Sequence, residues 1–135
     1  MAFALLTSSV KVFSGQIRTA KAAGVLAAGT VVRIDANGKL AATDAEVLAN
    51  SDVAGILISE ANAADQDVTY APIGCKLTVS GLTGGETYYA GGSGDAGEVG
   101  LRADAVTSTH FATIVGVAHS ATLFEVVGIK TGFQL

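Results

Sequence analysis

The sequence of 135 residues contains no tryptophan, one proline and one cysteine. The lone cysteine, Cys75, excludes an internal disulfide, so cysteine usage does not point to an oxidising compartment. No apolar run approaches the ~20 residues of a membrane-spanning helix. The first six residues lack the positive charge that opens a secretory signal. The sequence therefore predicts a protein made in the cytoplasm of the producing cell, with no membrane segment.

Charge is also scarce. Charged residues make up 15% of the chain, against about 25% in a typical soluble domain. The net charge is −4 and no two of the eight basic residues are adjacent, whereas nucleic-acid binding needs clustered lysine and arginine. The weakly hydrated surface that results favours a chain packed against copies of itself or a partner. A monomer whose surface is polar through serine and threonine is the alternative.

The sequence does contain a degenerate internal repeat. Each copy has the pattern of an apolar strand, a turn, a short strand, a loop and a second apolar strand. Leu40 precedes Gly55 by fifteen positions, and Leu101 precedes Gly116 by the same number. We place the half-repeats at about residues 28–80 and 84–130. Because neither half could bury its apolar face alone, the pattern predicts two halves packed into one β-domain.

Short β-branched runs between turn residues predict eight to ten strands and an all-β barrel or sandwich. Asn37-Gly38 is the strongest hairpin signal, because both residues tolerate positive φ. Thr43-Asp44-Ala45-Glu46 matches a capping box and predicts one or two helical turns over residues 44–49. Gly55, inside an apolar strand, predicts a bulge or a close approach of backbone. Helix is expected to be incidental.

Residues 1–22 stand outside the repeat and predict an extended basic arm, separate from a β-domain of residues 23–135. Three of the eight basic residues lie in it (Lys11, Arg18 and Lys21), and no acidic residue precedes Asp35. An arm of this kind can add a strand to the sheet edge of another chain. An ordinary first strand or a disordered terminus is the alternative, and the two interpretations weigh about equally.

No motif predicts catalysis, a cofactor or a metal. Residues 92–97 spell G-x-G-x-x-G, but strand-like residues follow where a dinucleotide fingerprint opens a helix. His110 and His119 lack the convergent partners of a metal site, and both are interpreted as surface or interface histidines. Cys75 is interpreted as a small buried hydrophobe. The sequence therefore predicts a protein that is not an enzyme and binds no cofactor or metal.

Three stretches, residues 28–40, 53–57 and 114–120, resemble the head decoration, or capsid cement, proteins of tailed bacteriophages. The resemblance covers roughly residues 25–130. It implies a small β-barrel or β-tulip-like domain on the outer face of an icosahedral shell. Such a protein bridges neighbouring major capsid protein subunits and stabilises the shell against internal DNA pressure. It also implies a homo-oligomer, with a trimer favoured over a dimer, made in the host cytoplasm and located on the virion exterior.

The candidate contacts of such a protein lie outside the repeat. Apolar side chains of the arm are the expected anchors, and two cations are expected to meet acidic coat loops. Deletion of residues 1–20 is therefore expected to leave the domain folded and to weaken shell binding. Phe133 and Leu135 are candidates for contact between protomers, with packing of a terminal strand as the alternative. The capsid-binding candidates are Phe3, Leu5, Leu6, Val10, Lys11, Val12, Phe13, Ile17 and Arg18.

Two further functions come from other classes. A trimeric tail or fibre component that recognises a host surface glycan would need aromatic platforms. Aromatic residues are only 6% of the chain, and Tyr88-Tyr89 is the sole adjacent pair. A small hydrolase accessory domain is disfavoured by the missing catalytic motifs. Binding to undecorated shells, binding to cells or sugars, and substrate turnover would separate the three hypotheses.

Overall fold

The computed structural model describes residues 3–6, 10–92, 94–105 and 110–134. It is nearly all β, with 47% strand and 6% helix, in two antiparallel sheets of which neither is closed into a barrel. The predicted all-β class is confirmed. The elements are β1 (Lys11–Ser14), β2 (Arg18–Lys21), β3 (Val31–Ile34), β4 (Leu40–Ala42), a 3-10 turn (Leu48–Asn50), β5 (Gly55–Leu57), β6 (Asp67–Pro72), β7 (Lys76–Thr78), β8 (Thr87–Ala90), β9 (Val99–Leu101), α1 (Arg102–Ala105), β10 (Phe111–Ala118) and β11 (Leu123–Gln134).

The two sheets share one strand order. Sheet A is ordered β1-β7-β11-β10-β8-β9, and sheet B is ordered β2-β6-β5-β3-β4. When β1 is set aside, β7 to β11 of sheet A occupy the same places as β2 to β6 of sheet B. The strands β3 to β6 belong to the first half-repeat, and β8 to β11 belong to the second. Each sheet thus combines four strands of one half-repeat with the strand that precedes its first hairpin. For sheet A that strand is β7, which lies inside the bounds of 28–80 expected for the first half-repeat but pairs with strands of the second.

The correspondence extends to the register of single residues. Gly55 in β5 and Gly116 in β10 each lie opposite the second residue of the neighbouring strand, β3 or β8. On its other side, each glycine faces a backbone carbonyl, Ala71 O beside Gly55 and Glu125 O beside Gly116, with no room for a Cβ atom. A close approach of backbone, one of the two predictions for Gly55, is therefore present in both sheets.

The core has two parts because sheet B is buried on both faces. Successive residues along its strands point to opposite sides. Val31 packs into the larger cluster, which it shares with sheet A, and Val32 packs into a smaller cluster within sheet B. Ile56 and Leu57 divide in the same way. In sheet A, Phe124 is fully buried and its ring meets Tyr88 edge-on at 6.0 Å between centroids.

The N-terminal residues belong to the domain, which corrects the expectation of an arm separate from the core. β1 pairs antiparallel with β7, and β2 pairs antiparallel with β6. Phe3, Leu6 and Val10 are buried, with 8%, 3% and 5% of their surfaces exposed. Their burial has a plain physical reason, since these side chains cover apolar surface of sheet A that would otherwise face water. The alternative of an ordinary first strand describes β1.

The capping-box prediction is also corrected. The side-chain hydroxyl of Thr43 is buried and donates to the backbone oxygen of Asp52 at 2.7 Å, so it does not cap a helix. Asp44 Oδ1 accepts the N–H of Glu46 at 3.0 Å, which closes a turn. The short 3-10 turn begins only at Leu48. The single turn of α1 was not predicted.

The two sheets differ at the gap between their edge strands, which we call the seam. In sheet B, Ala22 forms a parallel bridge with Leu40, and the N–H of Ala23 donates to Leu40 O at 2.8 Å. In sheet A, the N-terminal segment lies against β9 instead, through an antiparallel bridge between Ala4 and Val99. The seam of sheet B is thus bridged by Ala22, directly after β2, whereas in sheet A the segment around Ala4 lies along β9.

Candidate interaction surface

Exposed apolar side chains lie together where the chain crosses between the sheets. The β1–β2 crossing at residues 15–17 runs beside the β6–β7 turn at residues 73–75, and the two line a groove of about 350 Å³. Ile17 and Ile73, one from each crossing, are 50% and 53% exposed, and Phe13 at the end of β1 is 66% exposed. Large apolar side chains grouped at the surface are typical of a binding site for another macromolecule.

Three cations border this apolar group. Lys11 in β1 lies opposite Thr78, and Arg18 lines the groove. Lys76 in β7 lies between Ser14 of β1 and Glu125 of β11 in the register. Among the described residues none of the three cations takes part in an ion pair; the pairs are Lys21–Asp67, Lys39–Asp65, His119–Glu125 and Lys130–Asp52. We call Lys11, Phe13, Ile17, Arg18, Ile73 and Lys76 the cationic edge.

The structure divides the predicted capsid contacts into two groups. Phe3, Leu6 and Val10 are core residues, so they cannot act as surface anchors in the folded domain, and their assignment is corrected. Val12 is half-buried and packs against the larger core cluster. The remaining candidates lie at the surface, and all but Leu5 lie at the cationic edge: Leu5, Lys11, Phe13, Ile17 and Arg18.

Two residues of the cationic edge were missed by sequence reasoning. Ile73 lies in the turn between β6 and β7, directly after Pro72 and before Gly74. A large apolar residue between a proline and a glycine has little chance of burial, because loops run over the surface. That pattern was a usable signal. Lys76 gave no such signal, since its role depends on the pairing of β1 with β7, which the sequence does not specify.

The second predicted contact lies on the far part of β11. Phe133 is 75% exposed and Ile129, on the same strand, is 47% exposed. Within the described part of the chain, Val126 makes the last backbone hydrogen bonds of β11 on the side that faces β7. Its partners are Gly74 and Cys75, each at 2.9 Å. The far part of β11 thus pairs with β10 on its other side, and the side chain of Phe133 is exposed there. Leu135, the other residue of this prediction, lies outside the described residues.

The two histidines differ in their environments. His119 is at the surface, and its Nε2 lies 2.7 Å from Glu125 Oε1. His110 is 5% exposed, and its ring lies 5.8 Å from that of Phe3. The surface or interface interpretation is therefore corrected for His110, which is covered by the N-terminal segment. Across the described residues there is no group of three or more metal-ligating side chains.

Cys75 is buried beneath the β1–β2 crossing. Its Sγ lies 3.5 Å from the backbone oxygen of Gln16, and 2% of the residue is exposed. Burial raises the pKa of the Cys75 thiol above its ordinary value. A raised pKa disfavours the reactive thiolate. The interpretation of Cys75 as a small buried hydrophobe agrees with this environment.

A cavity of about 270 Å³ lies at the seam of sheet A. Its walls are mainly apolar, and the phenol of Tyr88 in them already accepts the N–H of Thr83 at 2.9 Å. One carboxylate, that of Asp104, lines it. The lining has no paired carboxylates and no histidine or cysteine, so the groups of an acid–base or nucleophilic site do not converge there. The apolar residues of the wall are Leu5, Leu6, Leu82, Val99 and Leu101.

No family model matches the chain, and no curated protein is similar to it. No helix in the described ranges is both long and apolar enough to pass through a lipid bilayer.

Proposed function

We propose that this chain is a structural protein of a bacteriophage head, which binds the outer capsid surface and bridges neighbouring major capsid protein subunits. In this proposal the protein makes and breaks no covalent bond and needs no cofactor. The observation that carries the proposal is the cationic edge, where exposed apolar side chains and unpaired cations lie together. The resemblance described above supplies the identity of the partner.

The contact chemistry follows from the residues at this edge. Phe13, Ile17 and Ile73 offer apolar anchors of the kind that dominate binding energy when a partner excludes water from them. Lys11 and Arg18 lie at the rim, where charges govern the association rate and the choice of partner. An acidic coat loop carrying one apolar side chain would fit this combination. One copy that contacts two coat subunits adds effective concentration to modest contacts, so the pair separates less readily.

We also propose that the two sheets form the β-tulip-like domain that the resemblance implies, in a homo-oligomer with a trimer favoured over a dimer. The nearly closed seams support this shape, since the Ala22–Leu40 bridge joins the edges of sheet B and Ala4 extends sheet A beyond β9. Low overall charge supports association with copies or coat subunits, because it lowers the cost of removing surface from water.

Co-sedimentation with undecorated, expanded shells of the phage that carries this sequence tests the function. The wild-type protein is expected to saturate the shell surface. Phe13→Ala combined with Ile17→Ala should weaken binding by roughly tenfold or more, because two anchors are lost. Val25→Ala is the matched control, since Val25 is 75% exposed and lies outside the cationic edge. No wild-type binding to shells would refute the proposal, and binding to cells or sugars instead would favour a fibre component.

Deletion of residues 1–20 is not a suitable test. The deletion would remove β1 and three of the four residues of β2, together with the buried side chains of Phe3, Leu6 and Val10. The shortened chain is expected to lose stability, contrary to the expectation of an independent arm. Point substitutions of exposed residues avoid this ambiguity, because they leave the sheets and the core intact.

A further inference from the structure

An acidic surface lies at the opposite side of both sheets from the cationic edge. Asp44 and Glu46 follow β4, and Asp95 and Glu98 lie in the turn between β8 and β9. Two backbone hydrogen bonds hold these segments together, from Ala45 N–H to the oxygen of residue 91 (3.0 Å) and from residue 97 N–H to the oxygen of residue 43 (2.8 Å). We call Asp44, Glu46, Val47, Leu48, Asp95 and Glu98 the acidic edge.

The carboxylates of the acidic edge lack cationic partners within the described part of the chain, where the ion pairs involve other acids. Burial raises the pKa of Glu98 above its ordinary value, and the nearby charge of Asp95 raises it further. This is expected where acids gather without a cation. Next to Glu46, Val47 and Leu48 are 45% and 42% exposed. The acidic edge therefore combines apolar side chains with negative charge, as the cationic edge combines them with positive charge.

The two surfaces are apart within one molecule because of the stagger between the edge strands. Ala22 bridges Leu40 in parallel, with Arg18 four residues before the bridge and Asp44 four residues after it, so Arg18 and Asp44 lie at opposite ends of the seam of sheet B. In sheet A, β1 is the first strand and β9 the last; in sheet B, β2 is the first strand and β4 the last. In sheet A the register separates Lys11 from the acidic edge, since Lys11 is level with Leu123 at the start of β11, through Thr78, whereas Ile73 lies beside Gly128. The β8–β9 turn lies beyond the level of Ile129, toward the end of β11. One copy therefore presents both surfaces to its neighbours.

We propose that the cationic edge of one copy binds the acidic edge of a second copy. The contact joins two different surfaces, so it is head-to-tail, and such contacts close into rings when the rotation between copies allows it. Each side supplies an apolar centre with a charged rim, the usual anatomy of a protein interface. The inference deepens the homo-oligomer part of the proposed function, on which it rests. Because a second copy and a coat loop would contact the same residues, the two contacts exclude each other at any one cationic edge.

Charge complementarity identifies a second copy of the chain as the partner of the cationic edge. Within the described ranges, the three cations of the cationic edge form no ion pair, and the four acids of the acidic edge have no cationic partner and lie beside two exposed apolar residues. An acidic coat loop could offer similar chemistry, so it is the competing occupant. The two occupants give different results in solution, because only a second copy binds when no shell is present.

Sedimentation velocity of the full-length protein at low and high salt is the test. The wild-type chain is expected to self-associate, more weakly at high salt because rim charges are screened. Lys11→Glu with Arg18→Glu, or Glu46→Lys with Asp95→Lys, should each weaken self-association by roughly tenfold or more. Glu60→Lys is the matched control for Glu46→Lys, because Glu60 is also an exposed loop glutamate without an ion pair, and it should leave self-association unchanged.

Restoration of binding separates this contact from damage to the fold. Mixing the two double variants should restore association, since each reversed edge then meets an edge of opposite charge. All four substitutions in one chain should restore it as well. A wild-type protein that stays monomeric at its highest soluble concentration would overturn the inference, as would double variants that associate like the wild type. If the wild type is monomeric and the Lys11→Glu/Arg18→Glu protein fails only to bind shells, the coat is the occupant and the proposed function stands without this contact.

Discussion

Sheets A and B place five strands in the same order, yet sheet A carries most of the additions. Sheet A has the extra strand β1 and the twelve-residue strand β11, and its seam is closed by the N-terminal segment. In sheet B, Ala22 bridges the edge strands directly after β2, and both faces of the sheet are buried. The shared features are those that backbone geometry demands, such as the glycines at equivalent register. The differences lie at edges, where a partner can reach them.

Phe124→Ala is expected to have the largest effect and tests the difference between the two cores. Phe124 is fully buried and meets Tyr88 edge-on, so its truncation should lower the free energy of unfolding by about 4 kcal/mol. Tyr70 occupies the equivalent place in sheet B, where Val32 stands in the position of Tyr88. Without that aromatic partner, Tyr70→Ala should cost about 3 kcal/mol. Urea denaturation measures both, and equal losses would contradict the unequal packing.

Gly55→Ala and Gly116→Ala test the shared register. In each case the new Cβ would meet a backbone carbonyl of the next strand, which cannot move without distorting the sheet. We expect each substitution to lower the free energy of unfolding by about 3 kcal/mol. Gly24→Ala is the control, because nothing lies within 4 Å of its Cβ position, and it should change stability by less than about 0.5 kcal/mol. A tolerated Gly116→Ala would show that the two glycines are not equivalent.

Leu6→Ala tests how the seam of sheet A is closed. Leu6 is 3% exposed, so its truncation should cost about 2 kcal/mol in thermal or urea unfolding. Leu5, its neighbour, is 41% exposed, and Leu5→Ala should cost less than about 0.5 kcal/mol. Equal, negligible effects of the two substitutions would restore the interpretation of this segment as an arm outside the core.

The two equivalent hairpins should respond to pH with opposite sign. In the β3–β4 turn, the N–H groups of Lys39 and Asn37 each donate to Asp35 Oδ1 at 2.9 Å and lower the pKa of Asp35. The resulting stability is present above the unfolded-state pKa of Asp35 and is lost as the pH falls through the folded-state pKa. In the β8–β9 turn, burial raises the pKa of Glu98, so its contribution is present in acid and is lost as the pH rises through its folded-state pKa.

Asp35→Asn should therefore lower stability at pH 7, and Glu98→Gln should raise it. Both differences from the wild type should shrink as the carboxyl groups become protonated, towards about pH 3. Chemical denaturation at the two pH values measures them. These are the smallest of the expected effects, because Asp35 is at the surface and solvent screens it. Shifts of the same sign in both variants would contradict the opposite environments of the two hairpins.

The pattern of neighbouring residues was sufficient to predict most strands and turns of the fold. Asn37-Gly38 marked the β3–β4 hairpin correctly, with positive φ at Gly38 (77°) but not at Asn37. The Asp35 N–H donates to Lys39 O at 2.8 Å and the Gly38 N–H donates to Asp35 O at 3.0 Å, so the loop has three residues, a class that places a left-handed residue last. The apolar run at residues 53–59 contains β5, and the run at 111–120 contains β10. These elements follow from alternation and turn chemistry, which neighbouring residues decide.

The failures concern long-range contacts. Residues 1–22 were placed outside the core because their alternation is weak, whereas β1 is held by β7, more than sixty positions later. The burial of Phe3 beside His110 likewise depends on a gap that only the assembled sheet creates. Four of the six residues of the cationic edge were predicted, and Ile73 and Lys76 were not. Lys11 and Arg18 are visible in the sequence as isolated positive charges. Ile73 lies near them only because the β6–β7 turn runs beside the β1–β2 crossing, and Lys76 only because β7 pairs with β1.

The packing of Cys75 against the β1–β2 crossing has a practical consequence. A Cβ atom at Gly15 would lie 2.6 Å from Cys75 Sγ, so the crossing rests directly on the sulfur. An alkylating reagent can reach the thiol only after the crossing lifts away. The rate of alkylation in the unmodified protein thus reports how often this corner opens, and a partner bound there would slow the labelling without any engineered probe.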